Sequence, residues 1–145
     1  MKAVLQRVSR GSVSVSGVQI AEITRGLVVL LGVGPDDTRK VAQALAKKTA
    51  QLRIFPDDQG KMNLSLLDVG GSALVVPQFT LFADTSRGHR PSFTKAAPPE
   101  IARPLAAYFA SCLQDLGVPT EQGEFGAHML VEILNDGPVT ITIEI

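Results

Sequence analysis

With 145 residues, 45% apolar and 19% charged, the chain is long enough to bury one core, and no apolar run approaches the ~20 residues of a membrane span. Fourteen basic and fourteen acidic side chains cancel, which argues against broad electrostatic binding along a nucleic-acid duplex. The single cysteine, Cys112, excludes an internal disulfide and a thiolate metal cluster, and the start Met1-Lys2-Ala3-Val4 lacks the apolar region of a signal peptide. The expectation is one cytoplasmic domain over residues 1–145.

In chain order, Lys2 to Val8 and Ser12 to Val15 read as two strands, and Ser16-Gly17 turns the chain into a third, Val18 to Ile23. Arg7 falls within the first strand. An arginine there is an edge residue in water or, if buried, must bond carbonyls or carboxylates. Leu27 to Leu31 is a continuous apolar run suited to a central strand. Gly32-Val33-Gly34-Pro35 lacks the third glycine of a dinucleotide loop and any Gly-Lys-Ser/Thr. It reads as a strand-to-helix turn with Asp37 as N-cap. A helix is expected from about Thr38 to Leu52, with Val41, Leu45, the stem of Lys48, and Leu52 on its inner face.

Ile54-Phe55 is a short apolar piece ended by the turn signal Pro56 to Gly60, and Lys61 to Ser65 is a strand or loop. Ala73 to Val76 is a short strand, and a polar loop spans Ala83 to Ala97. Pro98-Pro99 opens a second helix with Ile101, Leu105, Tyr108, Phe109, Cys112, Leu113 and Leu116 inward and Gly117 as the stop. Pro104 either kinks that helix or marks its first turn. Val139 to Ile145 alternates with period two, Met129 to Leu134 is also strand-like, and Asp136-Gly137 between them reads as the turn of a hairpin. Pro138 belongs at the start of the second strand, and a Gly-Pro bond in a tight turn is a candidate for the cis form.

Nucleophilic triads and zinc sites need bases and ligands that this chain lacks: there are two scattered histidines, His89 and His128, and His128 reads as facing the surface. Polar groups do gather near apolar strand ends at Gln78, Thr80, the backbone around Phe79, and Gly137-Pro138. Such a set could stabilise a developing oxyanion with backbone and amide donors. On residue chemistry alone the chain carries a small pocket for a carbonyl compound, with no conventional acid or base.

Several segments together resemble the D-aminoacyl-tRNA deacylases (the D-tyrosyl-tRNA deacylase family) along essentially the whole chain. They are Leu5-Gln6-Arg7-Val8, Gly26 to Gly32, Gly60-Lys61-Met62-Asn63, Gln78-Phe79-Thr80-Leu81, Arg90-Pro91-Ser92-Phe93, Phe125-Gly126-Ala127 followed by Met129, and Asn135 to Thr140. The resemblance implies an α/β fold of its own type, with mostly antiparallel mixed sheets, two main helices, and a homodimer. It implies hydrolysis of the ester joining a D-amino acid, or mischarged glycine, to the 3′ end of tRNA, without metal or other cofactor and without a membrane.

By the same resemblance, Gly137 and Pro138 enter the partner's site and exclude an L side chain, Arg7 holds that turn, and Phe125, Ala127 and Met129 hold the terminal adenine. Gln78, Phe79 and Thr80 form the catalytic segment: water is expected to attack, oriented by backbone N–H groups around Gln78-Phe79 and by the substrate's ribose hydroxyl, and Thr80 to have a positioning role, since a threonine without a base attacks poorly. Pro77 stands where the family has serine, which removes a hydroxyl and an N–H. A branch of relaxed chirality has proline there too, but alanine at the position of Phe79. The sequence leaves open the preferred amino acid and tRNA, the effect of Pro77, and the competing readings of RNA-end binder, general esterase and structural dimer.

Overall fold

Burial alternates along the first strand of the computed structural model, which describes residues 1–145, and β1 runs unbroken from Lys2 to Val15. Two strands were expected here. They are one because Gly11 lets the chain cross the sheet: a Cβ there would stand 2.6 Å from Val28 Cγ2. Strand β1 is the hub. It pairs antiparallel with β2 (Val18–Ile23), β3 (Gly26–Gly32) and the last strand, β8 (Met129–Glu144).

Strand β3 is apolar on both faces because both are covered, and it continues the sheet in parallel to β6 (Ser72–Pro77), which pairs in parallel with β7 (Thr120–Gln122). Parallel neighbours need long crossovers, and here each is a helix. Helix α1 (Arg39–Gln51) lies between β3 and β6, and α2 (Pro99–Asp115) between β6 and β7; a small hairpin, β4 (Phe55–Pro56) with β5 (Met62–Leu64), follows α1. The fold is thus α/β with a mixed, mostly antiparallel sheet, as expected; the short β7 has no sequence signal because three residues carry no usable period.

The larger core joins one face of the sheet to both helices through Leu5, Leu27, Leu31, Leu45, Phe109 and Leu113, each contributing about 1.5–3 kcal/mol by burial. The smaller core, Val8, Val13, Ile23, Val28, Leu74 and Val76, lies on the other face under the turned-over half of β1. Helix α1 faces inward with Ala42, Leu45, Ala46, Thr49 and Ala50, not with Lys48, which is exposed. Small residues let the two helices approach closely, and a lysine stem is not needed to fill the gap. The N-cap is Thr38, whose hydroxyl accepts from the Val41 amide at 3.4 Å; Asp37 instead accepts from the Gly34 amide and the Met1 ammonium, both at 2.6 Å. In α2, Leu116 ends exposed at the C-cap, while Cys112 is buried as core.

The expected hairpin at Asp136-Gly137 is absent. Both alternating runs pair with β1, Met129–Asn135 against Val8–Val15 and Thr140–Glu144 against Lys2–Gln6, so β8 runs on in one direction. Residues 136–139 bulge out opposite Arg7 alone. Period-two alternation is identical for a reversed and a continued chain; the shared partner decides between them.

Candidate active site

Two features concentrate the polar and aromatic residues singled out in the sequence. The first is a cavity of about 630 Å³ at the C-terminal ends of β3 and β6. Ligands in open parallel sheets gather at such ends, where loops diverge. The chain leaves β6 with the Gln78 amide bonded to the Leu31 carbonyl at 2.7 Å, then tightens into a 3-10 turn, Phe79–Phe82. Leu31 and Val76 line the sheet side, while Ala102 and Ala106 of α2 leave space that larger side chains would fill. Gln78, Phe79, Phe125, Ala127 and Met129 all line this one hollow. Phe79 meets Phe93 edge-to-face, ring centres 5.1 Å apart, across the mouth.

Thr80 does not line the cavity. It is exposed, and its hydroxyl accepts a hydrogen bond from the Gln78 side-chain amide, which ties the two together. Phe93 and His128 are lining residues that their types alone did not mark, since both sit in segments without a period. His128 is exposed as expected, but at the cavity rim, and it is the one titratable side chain in the lining. No three His, Cys, Asp or Glu side chains converge as a metal site would need. The lining therefore offers apolar and aromatic walls with a few amide and backbone groups, suited to a planar ring and a polar, uncharged centre.

The second feature is the bulge. Arg7 is 8% exposed, and its guanidinium donates to the Ile54 carbonyl at 2.7 Å and the Asp136 carbonyl at 3.1 Å, with the Asp136 carboxylate at 3.3 Å. This is the buried alternative for Arg7, with the carbonyls and carboxylate that burial requires. Asn135 closes the bulge from the other side: its Oδ1 accepts from the Val139 amide at 3.2 Å and its Nδ2 donates to Thr140 Oγ1 at 3.0 Å. The Gly137-Pro138 bond is cis, both residues are exposed, and Gly137 has φ +126°. A Cβ on Gly137 would stand 2.9 Å from Val139 Cγ2 and 3.0 Å from Arg7 Nη2, so glycine is required there for space as well as for φ.

Within one chain these features are apart. Arg7 pairs with Leu27 at the start of β3, whereas the cavity begins at Leu31, roughly 13 Å along the strand at ~3.3 Å per residue. Gly137 and Pro138 line no part of the cavity of their own chain. The loop that brings Phe93 to the mouth is anchored by Asp84. Its carboxylate accepts from the Ser86 amide at 3.0 Å and faces Lys95 Nζ at 2.9 Å, and Asp84 and Ser92 exchange backbone bonds. Hydrogen bonds from Ser86, and then Lys95, hold this carboxyl well below the usual carboxylate range.

The sequence pattern of the family described as D-Tyr-tRNA(Tyr) deacylase matches residues 4–144. A D-aminoacyl-tRNA deacylase of Roseiflexus castenholzii is 60% identical over 144 residues, covering 99% of this chain and 92% of the relative. One from Deinococcus radiodurans is 56% identical over 145 residues, covering 100% of both. Among solved structures, a chain described as "c-Myc DNA Unwinding Element Binding Protein" superposes with a TM-score of 0.94 at 44% identity, over 99% of this chain and 98% of that one. A probable eukaryotic D-amino acid tRNA deacylase shares the fold at a TM-score of 0.86 and 18% identity, over 99% of this chain and 98% of that one.

Proposed function

This chain belongs to the D-Tyr-tRNA(Tyr) deacylase family and acts as a D-aminoacyl-tRNA deacylase, a carboxylic ester hydrolase, and from that premise we propose how its two features divide the work. The cavity takes the acceptor end of the tRNA, with the terminal adenine on Phe125 and Met129 beside Ala127, and the ester near Gln78 and Phe79. Water attacks the ester carbonyl. The backbone N–H at Phe79 stabilises the oxyanion, that of Gln78 being given to the Leu31 carbonyl, and the substrate's ribose hydroxyl assists. Thr80 keeps the Gln78 amide in place and is not the nucleophile, since no base stands behind its hydroxyl.

The bulge serves as the chirality filter. The observation that carries this is its placement: Gly137-Pro138 is exposed, braced by a buried arginine, and remote from its own chain's cavity. A homodimer in which each chain's Gly137 and Pro138 enter the other's cavity uses both features. The same arrangement leaves no room for an L side chain, so D-amino acids and glycine are accepted. Pro77 at the cavity edge removes the hydroxyl and N–H that a serine would offer, and Phe79 keeps the aromatic wall of a D-specific site. The balanced charge supports a grip on the acceptor end alone. It also weighs against extending to this chain the DNA-binding description of its structural relative.

Deacylation of D-tyrosyl-, glycyl- and L-tyrosyl-tRNA by the native chain, Gly137→Ala and Thr80→Ala tests the scheme. The D and glycyl esters should be cleaved and the L ester spared. Gly137→Ala should lose at least about tenfold in rate because the strained, crowded bulge must shift, and Thr80→Ala should lose less than that. Cleavage of the L ester by the native chain would sink the filter. Loss of several orders of magnitude in Thr80→Ala with unchanged binding would replace water by threonine as nucleophile.

A further inference from the structure

Helix α2 lines the cavity with Ala102 and Ala106, and between them Arg103 reaches over the Phe125 ring, its guanidinium carbon 4.9 Å from the ring centre. Three other cations stand over aromatic rings in the molecule: Lys2 on Phe82, Arg25 on Phe55, and Arg39 on Tyr108. None of those rings lines the cavity, whereas Phe125 does. Arg103 is exposed and takes part in none of the six ion pairs, so its donors are free for a ligand. Arg7, Arg10 and Lys95, by contrast, are each engaged by a carboxylate.

We infer that Arg103 is a positioning residue for the terminal nucleotide of the substrate: it covers one face of Phe125, leaves the other to the base, and meets the adjoining phosphate with its free N–H groups. The inference rests on the deacylase reading and deepens it. A planar guanidinium stacks on an aromatic face and at the same time presents in-plane donors at its edge, a combination that matches a phosphate. A ring held from behind presents a fixed stacking surface, so a base loses less freedom on binding. The residue touches neither ester nor attacking water, so it acts on binding and not on the chemical step.

The test compares native chain, Arg103→Gln and Arg103→Lys in deacylation of D-tyrosyl-tRNA from about 50 to 300 mM salt, a range in which phosphate contacts are screened. Arg103→Gln should raise KM about fivefold with kcat unchanged. It should also flatten the slope of log KM against log salt by about 0.7, the value of one single-strand phosphate contact. Arg103→Lys should keep the slope and recover part of KM, which a merely structural role would not produce. Unchanged KM and slope in Arg103→Gln, or a fall in kcat alone, would overturn the inference while the native chain remained active. An inactive native chain would instead overturn the deacylase reading. The inference would then be read from the Met129 methyl signal titrated with adenosine and adenosine 5′-monophosphate. Selective weakening of the monophosphate in Arg103→Gln supports it, and equal affinities in variant and native chain overturn it.

Discussion

The cavity and the Asp136–Val139 bulge are shaped by opposite means. The cavity is a hollow left where strands diverge and α2 presents alanines, and its walls are set by apolar packing. Asp136, Gly137 and Pro138 of the bulge project into solvent, yet its backbone is fixed by polar bonds from Arg7 beneath it and Asn135 beside it. An apolar wall tolerates a lost contact by partial collapse, while a bulge braced from below by a single buried guanidinium loses its main support with that group. The bulge should therefore be the more sensitive of the two to a single substitution.

Arg7→Ala puts the comparison to its strongest test. It removes every side-chain bond Arg7 makes to the bulge, and leaves the Ile54 carbonyl buried without its donor. A loss of about 3 kcal/mol in urea unfolding is expected, with deacylation falling further than in Gly137→Ala. A variant as stable as the native chain would show that the bulge is held by other means.

Phe125→Ala addresses the cavity instead. Removal of one half-buried ring should raise KM about tenfold through lost stacking, at a stability cost of about 1–2 kcal/mol, and leave the bulge in place. If Phe125→Ala proved more damaging to the fold than Arg7→Ala, the contrast between the two regions would be reversed.

The smallest effect expected is acid loosening of the cavity mouth. The Asp84 carboxyl titrates below its ordinary value because Ser86 and then Lys95 favour its charged form. A depressed value in the folded chain stabilises the loop above the ordinary carboxylate pKa of about 3.9, and that contribution is lost as pH falls below it. Hydrogen exchange at the Ser86 and Ser92 amides should therefore quicken, relative to the rest of the chain, between about pH 4 and pH 2. Asp84→Asn should show the quick exchange already at neutral pH. Equal protection across that range would remove Asp84 from the account of the mouth.

Much of this was legible in the order of the residues. Apolar runs and their spacing specify β3, β6 and both helices because those signals are local, and the aromatic and Gly-Pro segments carried the family resemblance. Residues 129–145 read as two strand-like halves, the second by its period-two alternation. Those are properties of neighbouring residues, and neighbours suffice to set them.

Whether the chain reverses at Asp136-Gly137 or continues past it is a different kind of question. Alternation is blind to direction, and continuation followed only once both halves found β1 as a common partner. The burial of Arg7, the choice of Thr38 over Asp37 as cap, and the meeting of Phe79 with Phe93 and Phe125 at one hollow depend likewise on residues distant in the chain. Tertiary structure decided these because each is a competition among partners, and only the folded chain determines which partners are within reach.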